Sequence, residues 1–195
     1  MPVNTTDSPA RTTSGPATRA RILASASELF YAQGIRATSA ERIIEDVGIT
    51  KVTFYRHFRT KSELVVAYLE VQAAGERAWM SSALRAEDPL GSLRELATGI
   101  GAASCRPGFR GCAFINAAAE FGDENHPVRE TVNEHRDWYT DTLAGLFSRL
   151  GHPLPGDAAD DFILARDGAM AGGYAGDAIA ASMALQRAGA RILAG

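Results

Sequence analysis

The stretch that decides the fold is residues 38–63, TSAERIIEDVGITKVTFYRHFRTKSE. The segment TSAE (Thr38 to Glu41) has the pattern of a capping box, with the Thr38 hydroxyl set to accept from the N3 amide and Glu41 to reach back. Ala40, Ile43, Ile44 and Val47 follow as an apolar stripe at helical spacing, and Gly48 stops the helix. Thr50 then caps a short helix, KVTFYRHF, and TKSE (Thr60 to Glu63) is a second capping box that opens another. Two short helices joined by Gly48-Ile49-Thr50 meet the requirement of a helix-turn-helix, whose turn needs a glycine able to take positive φ. Ile44, Val47, Ile49 and Phe54 are expected to fill the angle between them.

Upstream, Thr18 can cap a helix with Ile22, Ala26, Leu29, Phe30 and Gln33 on one face, ended by Gly34. Residues 1–17 are Thr, Ser, Pro and Ala without apolar periodicity and are expected to be a disordered tail, from which Arg11 could touch DNA as an arm. Downstream, the fourth helix runs toward Trp79, Pro89 opens a fifth, 111–121 reads as a sixth, and Pro127 starts a long seventh ending at Gly151. Two more follow, over about 157–175 and 177–194. No strand alternation or internal repeat interrupts the pattern, so the expectation is an all-α chain of about nine helices.

The charge is unevenly placed. Residues 1–61 hold nine Lys/Arg against five Asp/Glu, and residues 62–195 hold eleven against eighteen, so a net −3 conceals a basic head. Such a head can bind a polyanion whatever its acidic partner domain carries. Two cysteines are too few for a disulfide-stapled secreted fold, and no charged then apolar leader opens the chain, so the cytoplasm is the expected compartment. The most apolar stretch, 169–185, is Gly- and Ala-rich and interrupted by Asp177, which argues against a membrane span.

Residues 19–69, RARILASASELFYAQGIRATSAERIIEDVGITKVTFYRHFRTKSELVVAYL, resemble the N-terminal domain of the tetracycline-repressor (TetR) family. The R-x-x-I-L opening, the F-x-x-x-G stop, the T-S cap, the G-I-T-K turn and the T-F-Y-x-H-F-x-x-K run occur in order without a gap. The resemblance implies a three-helix DNA-binding domain over 18–62, then an effector-binding and dimerisation domain over 63–195. It implies that Lys51 and Thr53 face base edges in the major groove, that Tyr55 and His57 meet phosphates, and that Lys61 grips a phosphate at the start of the fourth helix. Thr50 and Arg56 complete that surface, although core packing is an equal reading for Tyr55 and the better one for Phe58. Glu41 departs from the family pattern, as do Glu45 and Asp46 by their charge. Ser39 and Arg42 are therefore the expected phosphate-side residues of the second helix.

The resemblance also implies a homodimer through the last two helices. Small residues from Ala169 to Ala184 allow close helix approach, either to a second subunit or within a tight intramolecular core; the resemblance favours the dimer. A two-fold dimer calls for a palindromic double-stranded operator with half-sites about 34 Å or more apart. For a small-molecule effector, the candidates on converging helices are Trp79, Phe114, Asn116, Glu120, His135, Trp138, Tyr139 and Tyr174, with Phe109, Phe121 and Met170 beside them, many equally suited to the core. Cys105 and Cys112 bracket RPGFRG, where Arg106 and Arg110 could favour thiolate chemistry; two plain thiols are the simpler reading. No nucleophile elbow, phosphate-cradling loop or metal-spaced His/Cys set is present, so neither an enzyme, a cofactor nor a metal is expected. The readings left in competition are a ligand-released repressor and a helical ligand carrier whose helix-turn-helix no longer reads DNA.

Overall fold

The computed structural model describes residues 15–194. Arg11 and most of the expected tail lie outside them. Among the described residues there are nine helices and no strand: α1 (Gly15–Gln33), α2 (Ala40–Val47), α3 (Lys51–His57), α4 (Lys61–Ala83), α5 (Pro89–Ser104), α6 (Ala113–Glu120), α7 (Pro127–Arg149), α8 (Pro155–Ala175) and α9 (Ala178–Ile192). None of these is long and apolar enough to cross a membrane.

Two caps differ from expectation. Helix α1 begins at Gly15, so residues 15–17 are helical rather than tail, and Thr18 is buried inside the helix instead of capping it. Ser39, not Thr38, caps α2, its side chain accepting from the Arg42 amide at 3.1 Å. Thr38 is fully buried, and its hydroxyl donates to the Gly34 carbonyl at 2.9 Å, closing the end of α1. The adjacent hydroxyls thus divide the work, one on each helix. Glu41 is consequently released from the expected box.

The remaining turns follow the sequence. Gly48 takes φ 69° and donates to the Glu45 and Ile44 carbonyls, a left-handed cap that only glycine adopts without strain. Thr50 accepts from the Thr53 amide, and Thr60 from the Glu63 amide, while Glu63 reaches back to the Arg59 amide at 2.8 Å. Pro89 and Pro127 stand in the first turns of α5 and α7.

Two apolar cores result. The first joins Ile22, Phe30, Ile43, Val47, Phe54, Phe58, Leu64 and Leu69 to Phe114, Ala117, Val128 and Val132, so α1 to α4 share it with α6 and the start of α7. Ile44 and Ile49 pack at its edge, only partly buried. The second holds Met80, Leu96, Leu143, Phe147, Phe162 and Leu185, where α5, α8 and α9 close the body. Met170 touches both.

Candidate nucleic-acid interface and ligand cleft

Fixed by Phe54 and Phe58, both fully buried, α3 presents its other side outward. Lys51, Val52, Tyr55 and Arg56 are exposed there, with Thr53 and His57 half-buried. Tyr55 is 39% exposed and meets Phe54 edge-on at 5.2 Å, so it divides itself between core and surface. The Thr50 and Thr53 hydroxyls hydrogen-bond each other at 2.9 Å. Lys51 is held from two sides: its ammonium lies 3.3 Å from the Glu41 carboxylate and 5.9 Å over the Tyr55 ring. The backbone amide of Glu41 itself, then Lys51, hold that carboxyl below its ordinary 4.5, so Glu41 is ionised at neutral pH. Asp46 is exposed and accepts from the Ser25 hydroxyl of α1 at 2.7 Å. Of the three acids on α2, then, one braces α1 and one bridges to α3.

Ser39 and Arg42 are exposed at the start of α2, with the Ser39 oxygen engaged as the cap. Lys61 opens α4 half-buried; burial lowers its ammonium below the usual 10.5, and the negative Glu120 opposes that shift. Val52, 71% exposed, was not among the expected contacts. An apolar side chain so exposed on the helix carrying Lys51 is the signal that marks it.

A cleft of about 770 Å³ opens beside α1 and α4, and its wall is completed by the 103–114 segment and α8. Tyr31, Val71, Phe109, Phe114 and Met170 supply apolar surface, with Gln72, Glu76, Arg106 and Arg166 among the polar groups. Of the expected ligand residues the structure brings Phe114 here, with Phe109 and Met170. His135 and Tyr139 stand behind Phe114, the imidazole stacked on its ring at 3.7 Å and 7°. Asn116, Glu120 and Tyr174 line a separate hollow of about 220 Å³ toward α1. Trp79 packs against Gly99 of α5 and Trp138 lies at the second core under Arg77, both away from the cleft. Phe121 packs at the first core, against His126.

Charge is buried at the base of the cleft. Glu76 of α4 receives His135 Nε2 at 2.9 Å and Arg166 at 2.8 Å, and Arg166 also pairs with Asp167 at 2.8 Å. Asp167 is shared with Arg136 at 2.9 Å. Burial pushes the Glu76 carboxyl up, but His135 and Arg166 outweigh it and leave the group below its ordinary 4.5. Burial likewise works against the Arg166 cation, yet Cys112, Tyr139 and Glu76 hold it firmly charged. Neither Glu76 nor Arg166 was anticipated, since they are ninety residues apart. Each interrupts an apolar stripe, Glu76 between Ala73 and Met80 and Arg166 between Phe162 and Ala169, and a charge within a buried stripe is the available signal.

Cleft and helix-turn-helix are tied by α6. Its last residue, Glu120, accepts from the backbone amides of Ile35 at 2.9 Å and Arg36 at 2.6 Å, in the turn between α1 and α2. Ahead of α6, the Tyr31 hydroxyl accepts from the Arg110 amide at 3.0 Å and donates to the Gly111 carbonyl at 3.1 Å.

A solved TetR-family transcriptional regulator from Streptomyces coelicolor superposes with a TM-score of 0.85 at 37% identity, covering 91% of this chain and 94% of that one. This chain belongs to the TetR family. The family model described as bacterial regulatory proteins, tetR family, matches residues 22–68, which hold α2, α3 and their flanks. The HTH-type transcriptional regulator TtgR of Pseudomonas putida is 37% identical over 81 residues, and TcmR of Streptomyces glaucescens 40% identical over 91. Each of these matches covers 40% of this chain and 39% of the relative's length. A TetR-family structure from Agrobacterium tumefaciens, 23% identical with a TM-score of 0.77, shares the fold.

Proposed function

We propose that this TetR-family chain is a homodimeric repressor that holds a palindromic operator and is released from it by a small molecule lodged in the cleft. The DNA-binding unit is residues 18–62 and the effector-binding and dimerisation unit 63–195. One observation carries the reading: the turn that leads into the helix-turn-helix and the cleft are joined by the short α6, which lines the cleft at Phe114 and holds the α1–α2 turn at Glu120. A ligand that prefers one setting of α6 can shift the population of head positions through that link.

At the operator, Lys51 and Thr53 address base edges and Tyr55, His57 and Lys61 address phosphates, with Ser39, Arg42, Thr50 and Arg56 at the margin. Phosphate contacts from amide, hydroxyl and ammonium groups set register, and the groove-facing side chains discriminate bases. Val52 joins the base-reading set, since an exposed apolar side chain there suits a thymine methyl. Dimerisation through α8 and α9 is supported by Leu164, Tyr174, Ile179 and Met183, large apolar residues 49–69% exposed in the single chain. The small residues divide: Gly172 faces Ala181 and Gly173 faces Ser104 in close intramolecular packing, whereas Ala171, Ala175 and Ala184 are exposed beside the apolar patch.

The test is binding to DNA flanking the gene, titrated against salt. The expected result is steep salt dependence in the parent, Thr53→Ala weaker with altered base preference, and Lys61→Ala weaker on all sequences with a log–log salt slope shallower by about 1. Parent-like binding by both variants would refute the assignment of the surface. A flat titration by the parent would favour the ligand carrier.

A further inference from the structure

Behind the cleft lies a smaller cavity of about 10 Å³, among Cys112, Phe114, His135, Tyr139 and Arg166. That volume is the size of one water, or of the hydroxyl oxygen that takes a water's place. Cys112, Phe114 and Arg166 border both spaces and form the wall between them. Three of its lining residues, His135, Tyr139 and Arg166, are 4–5% exposed, and each carries a polar atom with no hydrogen-bond partner among the described residues: His135 Nδ1, Tyr139 Oη and Arg166 Nε. Buried polar atoms of this kind are costly unless paired.

The chemistry of the missing partner follows from what each atom can do. The Glu76 carboxylate only accepts, so His135 Nε2 carries the proton toward it, and in the neutral ring Nδ1 is left as an acceptor. Arg166 Nε–H only donates, its other nitrogens being taken by Glu76 and Asp167. Tyr139 Oη does either. One group that donates to Nδ1 and accepts from Nε–H and Oη–H serves all three, and a hydroxyl is such a group. A carboxylate cannot donate to Nδ1, and the two cations that line the cavity, Arg136 and Arg166, are already paired with Asp167 and Glu76. An ammonium cannot accept and meets the Arg166 cation. An apolar end leaves all three atoms unpaired.

We infer that the cleft selects a neutral, largely apolar effector ending in a hydroxyl, a phenol or an alcohol, whose oxygen passes the Cys112–Phe114 wall to the His135, Tyr139 and Arg166 atoms. This rests on the effector reading of the cleft. The apolar body lies against Tyr31, Val71, Phe109 and Met170. Passage through the wall displaces the first turn of α6, because Cys112 is its N-cap residue and Phe114 its second residue.

The experiment compares 2-naphthol, naphthalene and 2-naphthoate, one ring system with three ends, by titration calorimetry on the full chain at neutral pH. The inference expects 2-naphthol to bind about tenfold tighter than either, the scale set when a buried polar site loses its partner. Tyr139→Phe removes one of the three groups and narrows the naphthol-to-naphthalene ratio to about threefold. Equal binding of naphthol and naphthalene, tighter binding of naphthoate, an unchanged ratio in Tyr139→Phe, or no binding of any probe each overturns it. Anisotropy of labelled operator DNA separates the two claims. Hydroxyl preference without DNA release refutes the effector reading and upholds the selectivity, whereas equal release by naphthol and naphthalene refutes the selectivity alone.

Discussion

Replacing Glu120 by alanine removes both acceptors that fix the turn between α1 and α2. The Ile35 amide bond, at 2.9 Å, belongs to a residue that is 3% exposed; the Arg36 bond, at 2.6 Å, is open to solvent. A hydrogen bond to a charged group contributes about 1.5–3 kcal/mol, and water substitutes for much of the exposed one. Taking about 1.5 for the first and about 0.5 for the second gives a loss near 2 kcal/mol. For a chain of this length that lowers Tm by about 4–8 °C. Glu120→Gln keeps one carbonyl acceptor and should lose about half as much, because its amide nitrogen faces a donor. The assays are thermal unfolding by circular dichroism and amide exchange read at Ile35 and Arg36. If α6 transmits the effector signal, Glu120→Ala also retains operator binding while the same ligand releases less of it. An unchanged Tm together with unchanged protection of both amides would refute the clamp and with it the route from cleft to operator.

Other outcomes are open to direct measurement. Glu41→Gln should free Lys51 from its 3.3 Å partner and remove a negative charge from the groove face, giving tighter DNA binding at low salt and a steeper log–log salt slope; weaker binding would mean that the bridge positions Lys51 productively. Glu76, lowered from 4.5 by His135 and Arg166 against the cost of burial, contributes stability that is fully present above about pH 4.5 and is lost as pH falls through its lower folded value. The stability gap between the parent and Glu76→Gln should therefore shrink as pH falls below about 4.5 in urea titrations. Ile179→Glu, at a position 68% exposed on α9, should yield a folded monomer by sedimentation with weaker operator binding, and an unaltered dimer would move the interface elsewhere.

The helix order and the head were legible because the signals there are local. Gly34, Gly48, Thr50, Thr60, Pro89 and Pro127 act on the residues next to them, and each stands where its chemistry ends or opens a helix. Local reading failed where two adjacent residues could serve one role. Thr38 and Ser39 are both cap formers, and only packing decides that Thr38 is buried under the end of α1 and Ser39 takes the cap. The cleft was less legible for a different reason. Aromatic residues such as Trp79 and Trp138 suit a core as well as a cavity, and which one they meet depends on contacts with α5 and α4 far away in sequence. The Glu76–Arg166 pair joins α4 to α8, and no spacing rule reaches across ninety residues.

The first core bears on how such a molecule can move. A border at 62 and 63 follows the motif, yet Ile22, Phe54 and Phe58 on one side pack with Leu64, Phe114, Ala117 and Val132 on the other in one continuous apolar cluster. Opening that cluster exposes closely packed side chains at about 25 cal/mol for every Å² of apolar surface, with no compensating contact in water. The polar seam beside it behaves differently. The bonds of Tyr31 to Arg110 and Gly111 can each be exchanged for water at a net cost of about 0.5–1.5 kcal/mol, and those of the Glu120 carboxylate to Ile35 and Arg36 at about 2 kcal/mol together. A coupling free energy of 1–3 kcal/mol, typical of allosteric proteins, is enough to break one or two such bonds and too small to open the core. On the proposed effector reading, the motion that fits exchanges the Tyr31 bonds and keeps the Glu120 clamp, so that a shift of α6 and the 106–112 segment carries the α1–α2 turn with it and leaves the packing of α3 on Phe54 and Phe58 intact.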